Sequence, residues 1–146
     1  MSDTITLRRL SPDDLETLLA VRHGLFDNAV LPEQAKAFLA DPLHEIMLAF
    51  DGAEAVGMAT GKIMLHPDKQ PAFFIAEVGV RDEYQRQGIA KRLFDALMQH
   101  ARDRGCKGIW LATEADNLPA RALYRSLDAR ETGGIVVYDW DGAMDG

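Results

Sequence analysis

The stretch FFIAEVGV, from Phe73 to Val80, most restricts the architectures open to this chain, because a long amphipathic pattern follows it after one short glycine-containing turn. A nearly unbroken apolar run of this kind reads as a strand. Beyond the turn, Ile89, Leu93 and Leu97, with Ala90, Phe94, Met98 and Ala101, recur at helical spacing between Arg86 and Arg104, and Gly105 ends the helix. GIWLAT, from Gly108 to Thr113, then reads as a second strand. A strand, a helix and a strand in succession imply a right-handed crossover, with the two strands parallel in one sheet.

The segments before this unit pattern as antiparallel structure. Thr4 to Leu10 alternates as a first strand, and Ser11, Pro12 and Asp14 start a helix with a Leu15, Leu18 and Leu19 stripe. A second helix begins at Pro32 and carries Ala35, Phe38 and Leu39. EIMLAFD and AVGMATGKIML, joined at Asp51-Gly52, read as a hairpin, and the apolar run extends it to a meander over residues 45–81. Asn117 to Leu127 is a further helix with Ala120, Leu123, Tyr124 and Leu127 on one stripe. Two short strands, around residues 130–132 and 134–141, are expected to close the chain through Gly133-Gly134. With no internal repeat and no linker, the 146 residues read as one domain, 1–146.

Composition excludes several functions. A formal net charge of −7 argues against nucleic acid as a partner, since phosphate binding needs a basic surface. No window offers the apolar length of a membrane helix, and the opening MSDTITLRRL lacks the core of a signal peptide, so a soluble cytoplasmic protein is expected. Cys106 is the only cysteine, and His23, His44, His66 and His100 lack metal-ligand spacing, so no metal site is expected and the histidines read as solvent-facing or locally hydrogen-bonded.

The turn between Val80 and Ile89 leaves a strand and opens a helix whose first backbone N–H groups have no intrahelical partner. Those donors and the helix dipole favour an anion such as a phosphate. Gly88 lets the backbone approach closely, Ala90 keeps the first turn small, and Arg81, Arg86, Lys91 and Arg92 add positive charge. The pattern is neither the GxGxxG of dinucleotide loops nor the GxxxxGK of ATP-type loops.

Gln85-x-x-Gly88-x-Ala90, placed between that strand and helix, resembles the pyrophosphate loop of the GNAT superfamily of N-acetyltransferases. Asn117-x-x-Ala120-x-x-Leu123-Tyr124, after the next strand, matches the second motif of the same family. The branch that the chain resembles most is that of the aminoglycoside 3-N-acetyltransferases. The resemblance implies an α/β fold with a mixed, mostly antiparallel sheet of about six or seven strands, flanked by helices and split between its central strands. It implies acetyl-CoA as the donor, held by Gln85, Arg86, Gln87, Gly88, Ile89, Ala90 and Lys91. The pantetheine arm would run along Val78, Gly79 and Val80, with Asn117 and Ala120 beside it. Tyr124 takes the position of the family's thiol-facing tyrosine. Asp128 stands where the family often has glycine.

Within the apolar strand, simple alternation puts Phe74, Ala76, Val78 and Val80 on a core face, and Phe73, Ile75, Glu77 and Gly79 on the other. A carboxylate there should have a raised pKa, and Gly79 suggests a bulge or a close approach of a ligand to the backbone. Glu77 is therefore the candidate base that takes the amine proton, with a structural carboxylate paired to Arg81 or another basic residue as its bland rival. Tyr124 is either the acid that protonates the leaving thiolate or a packing residue of its helix. Asn117 also reads as a helix cap, a role that can coexist with its backbone meeting pantetheine.

The acceptor expected is a small cationic amine, aminoglycoside-like or polyamine-like. Asp27, Glu33, Glu114 and Asp116 either pair with its ammonium groups or are solvated surface charge. An acetyltransferase for a protein N-terminus or lysine, and a catalytically silent acyl-CoA binding module, are the other readings. No membrane partner is expected, and a homodimer is among the states open to the chain.

Overall fold

The computed structural model describes residues 4–145. They form two compact units, which divide after Leu111. The first unit is a five-stranded sheet in the order β1-β2-β3-β4-β5. Strands β1 (Ile5–Arg9), β2 (His44–Asp51), β3 (Glu54–Met64) and β4 (Ala72–Val80) are antiparallel to their neighbours, and β5 (Gly108–Trp110) lies parallel to β4.

Helix α1 (Leu15–Leu19) follows a single 3-10 turn, Pro12–Asp14. Ser11 caps this turn as expected, and the cap is reciprocal: its backbone N–H donates to Asp14 Oδ2 at 2.7 Å, and its hydroxyl accepts from the Asp13 N–H at 3.3 Å. Helix α2 (Pro32–Ala40) begins at its proline as expected. Leu18, Leu25, Ala35 and Leu39 pack with Ile46, Leu48 and Met58 as one core layer against a face of the sheet.

Helix α3 (Ile89–Asp103) covers the opposite face. Gly57 of β3 admits it closely, because a Cβ there would meet Leu93 Cδ1 at 3.0 Å and Ile89 Cγ2 at 3.1 Å. The helix ends as the sequence predicts. Gly105, at φ 89°, donates to Arg102 O, and Cys106 N donates to Ala101 O, each at 3.0 Å, forming a Schellman cap.

Buried beneath the end of α3 is Glu45, only 1% exposed. It accepts from Arg9 Nε at 2.7 Å and Arg104 Nη1 at 2.6 Å, and His100 Nε2 lies 3.1 Å away. Neither expectation for His100 holds at this atom: Nε2 is buried beside the Glu45 carboxylate and makes no hydrogen bond among the described residues. This knot ties β1, β2 and α3 together, so burial of the carboxylate is compensated.

The second unit contains α4 (Leu118–Ser126) and the chain that follows it. The two strands expected around residues 130–132 and 134–141 are not formed: residues 129–139 belong to no helix or strand. Strand propensity in IVVY does not supply a ladder partner, and Ile135, Val136, Val137, Tyr138 and Trp140 remain exposed. The sheet therefore has five strands. Among the described residues, no helix is long and apolar enough to cross a membrane.

Candidate active site

Parity along β4 changes at a bulge. Phe73 stands opposite Ile63 and Ile75 opposite Gly61, whereas Glu77 stands opposite Thr60 and Val78 opposite Ala59, leaving Ala76 unpaired. Directly opposed residues share a face, so Phe73, Ile75, Val78 and Val80 lie on the α3 side with Ala59 and Gly57. Phe74, Glu77 and Gly79 lie on the other side with Met58 and the helix α1 layer. This corrects the core face assigned from alternation: Phe73 and Ile75 are buried, and Ala76 is exposed. One inserted residue reverses the pattern of every residue after it.

Pairing of β4 with β5 stops early. Only Ala72, Phe73 and Phe74 have partners there, namely Gly108, Ile109 and Trp110. From Ile75 to Val80, β4 is held by β3 alone, and backbone groups that point away from β3 meet no strand. This is the split that the fold requires.

Glu77 occupies the unpaired half of β4. Its side chain is solvent-exposed, yet partial desolvation raises its carboxyl above the ordinary value of 4.5, and the charge of Asp27 raises it further. It makes no ion pair among the described residues, and the expected alternative partner, Arg81, is directed elsewhere. Arg81 is 6% exposed and donates to three carbonyl oxygens: Ala55 O at 2.9 Å, His23 O at 3.1 Å and Arg22 O at 2.6 Å. Sequence reasoning missed this role, because contacts between residues so far apart in the chain leave no local signal.

Past Val80, a 3-10 turn at Asp82–Tyr84 leads into the loop. The Gln85 amide closes it by donating to Val80 O at 3.1 Å and Asp82 Oδ1 at 3.3 Å. Tyr84 Oη donates to Asp51 Oδ2 at 2.5 Å, which anchors the turn to the β2–β3 hairpin. Arg86 at φ 63° and Gly88 at φ 79° are both left-handed, and Gly88 caps α3, so the N–H groups of Gly88, Ile89 and Ala90 start the helix with no intrahelical acceptor. Nothing lies within 4 Å of a Cβ built on Gly88. The Gln87 Oε1 atom is buried without a hydrogen-bond partner.

Of the cations grouped around Gly88 in sequence, Arg86 and Lys91 are exposed at the loop. Arg81 serves the carbonyl cluster, and Arg92 donates to Ile5 O at 3.0 Å, tying α3 to β1. Two of the four cations are thus committed to backbone carbonyls, while the N–H groups that open α3 have no intrahelical acceptor.

In the second unit, Asn117 caps α4: its Oδ1 accepts from Ala120 N at 3.2 Å, and its Nδ2 donates to Thr113 Oγ1 at 3.3 Å. Tyr124 lies one turn further along, half-buried, and burial pushes its phenol above the ordinary value of 10. The helix ends at Asp128, whose φ of 63° takes the left-handed position of a second Schellman cap, with Ala129 N donating to Tyr124 O at 3.1 Å.

These elements match a known family. Residues 12–128 fit the model of the acetyltransferase (GNAT) family, to which the chain belongs. It is an N-acetyltransferase, with acetyl-CoA as the donor. The chain is 28% identical to an aminoglycoside N(6')-acetyltransferase type 1 of Serratia marcescens, over 86% of this chain and 92% of that protein. It is also 28% identical to an N-alpha-acetyltransferase of Saccharolobus solfataricus, over 94% of this chain and 87% of that protein. In fold it matches an aminoglycoside acetyltransferase from an uncultured soil metagenomic sample in complex with sisomicin, with a TM-score of 0.80 at 20% identity, over 96% of this chain and 99% of that one. It matches AAC(6')-Iy in complex with the bisubstrate analog CoA-S-monomethyl-acetylneamine with a TM-score of 0.78 at 20% identity, over 93% and 97% of the two chains. These relatives include aminoglycoside 6'-N-acetyltransferases, which corrects the 3-N branch expected from the sequence.

Proposed function

We propose that the protein acetylates a primary amine of a small cationic molecule, aminoglycoside-like or polyamine-like, in the cytoplasm. The observation that carries this reading is the bulge at Ala76, which sets Glu77 beside the Asp27 loop on the half of β4 that β5 leaves unpaired. An overall charge of −7 suits a cationic acceptor, and the aminoglycoside names of the relatives support the same class.

In this reading the loop from Gln85 through Arg86, Gln87, Gly88, Ile89 and Ala90 to Lys91 holds the pyrophosphate of acetyl-CoA on backbone N–H groups. A half-turn of the Gln87 amide would direct its NH₂ where the unpartnered oxygen now points, giving an anion a further donor. Val78, Gly79 and Val80 offer the backbone that receives the pantetheine arm, and an N–H of Val78 or Val80 stabilises the oxyanion. Asn117 and Ala120 position the start of α4 for the same arm.

An amine of pKa near ~10 cannot attack until it loses a proton. Glu77 takes that proton, directly or through one water, and its raised pKa makes it a better base than an ordinary carboxylate. Tyr124, kept protonated by its raised pKa, gives a proton to the departing thiolate.

The decisive experiment screens amine acceptors with acetyl-CoA and follows thiol release. Turnover with polyamines or aminoglycosides supports the reading, and turnover confined to peptide N-termini transfers the protein to the class of its Saccharolobus solfataricus relative. Acetyl-CoA binding without any turnover would mark a silent acyl-CoA binding module.

The tail favours a homodimer. Ile135, Val136, Val137, Tyr138 and Trp140 are each at least 60% exposed, on both sides of a β-branched segment. A contiguous run of exposed large apolar side chains marks an interaction surface. Light scattering across micromolar concentrations should give a dimer that Val137→Lys dissociates, and a monomer throughout would defeat the idea.

A further inference from the structure

Arg81 is a buried guanidinium that spends all its nitrogens on main-chain oxygens. Its Nε holds Ala55 O of β3, and its Nη1 and Nη2 hold His23 O and Arg22 O at the start of the segment between α1 and α2. Its own backbone N–H donates to Val56 O at 2.9 Å, and its carbonyl accepts from Tyr84 N at 2.9 Å. One residue therefore fixes the end of β4, the first turn of the phosphate loop and the segment that carries Asp27.

That segment is seated closely. Gly24, at φ 106°, passes so near that a Cβ would stand 3.3 Å from Arg81 Nη1. Leu25 is buried in the helix α1 layer, and its carbonyl stands 3.4 Å from where a Cβ of Gly79 would be. The 22–25 segment thus lies in van der Waals contact with β4 at Gly79, on the face that bears Glu77.

We infer that Arg81 is a positioning residue for the amine acceptor, because its guanidinium pins residues 22–25 onto β4 and so places the Asp27 segment over Glu77. The inference rests on the proposed small-amine reaction. A lysine keeps the charge but cannot reach three divergent carbonyls, so the segment would lift while the phosphate loop stays anchored by Gln85 and Tyr84.

The test compares wild type with Arg81→Lys and Gly24→Ala, the second disturbing the same contact while leaving Arg81 in place. Each variant should raise KM for the amine tenfold or more, leave acetyl-CoA affinity by calorimetry within about twofold, and speed amide hydrogen exchange in residues 22–31 but not in residues 89–103. Wild-type amine constants in both variants would overturn the inference, as would equal losses of amine and acetyl-CoA binding, which mark general loosening. Should Arg81→Lys fail to fold, Gly24→Ala decides alone. Wild-type enzyme that acetylates no small amine defeats the acceptor reading itself, an outcome visible before either variant is compared.

Discussion

Glu77 stands opposite Thr60 on β3, on the face that it shares with Met58 and Gly79, because Ala76 is left out of the ladder. That relationship determines what the carboxylate can touch: with regular pairing of β4 it would point toward α3.

Glu77→Gln should lower kcat/KM for the amine by on the order of 10²-fold or more while acetyl-CoA affinity stays unchanged. The base must be ionised, so wild-type activity falls as pH drops through a carboxyl pKa above 4.5, and the variant's acid limb should flatten. The stability effect has a definite sign. An acid whose pKa is raised by folding disfavours the fold once it ionises, so Glu77→Gln should raise the melting temperature near pH 7 and leave it unchanged near pH 3. Wild-type turnover with the same acid limb would return Glu77 to a structural role.

Gly88→Val should abolish measurable acetyl-CoA binding, whereas Arg92→Ala should weaken it by less than about threefold. Gly88 holds a positive φ at the start of α3, with open space where its Cβ would project, so a side chain there strains the loop and fills the path of an incoming phosphate. Arg92 instead donates to Ile5 O, so its loss should appear in stability. Calorimetric titration separates the two, and equal losses would sink the backbone cradle.

The helix pattern of α3, its glycine cap, the hairpin at Asp51-Gly52 and the Asn117 cap were all legible, because each is written in neighbouring residues. The face of Ile75 was not, since one bulged residue reverses alternation without changing composition. Arg81 looked like free positive charge beside the loop because sequence shows its charge and not the three carbonyls that consume it. Residues 134–141 have the propensity of a strand, but pairing depends on an edge that propensity cannot specify.

Arg86 and Asp128 each hold a left-handed backbone at φ 63°, which costs a residue with a Cβ about 1 kcal/mol relative to glycine. Asp128→Gly should therefore stabilise the protein by up to about 1 kcal/mol, visible as a higher urea midpoint with an unchanged slope. Arg86→Gly should stabilise similarly while removing an exposed charge from the loop. A stability gain with unchanged acetyl-CoA affinity would show that the Arg86 cation is dispensable there.

Glu45→Gln should cost about 3 kcal/mol of folding stability, because the buried carboxylate is what Arg9, Arg104 and His100 converge upon. The arginine heads reach solvent, which places the loss at the lower end for a broken buried pair. Urea unfolding measures it, and a change within 0.5 kcal/mol, the usual range for surface substitutions, would show the knot to be energetically neutral.

Tyr124→Phe keeps the ring on α4 and deletes only the hydroxyl, so it separates catalysis from packing. The phenol is held above its ordinary pKa by burial, so it is fully protonated at neutral pH and has a proton to give. As the acid for the leaving thiolate it should account for on the order of 10²-fold in kcat, with KM for both substrates little changed. The loss should shrink with an acyl donor whose thiol is more acidic, since such a leaving group needs less protonation. A packing role predicts the opposite pattern: a lower melting temperature, and a kcat that does not respond to the leaving group. Wild-type kcat together with wild-type sensitivity to the donor thiol would remove Tyr124 from the mechanism.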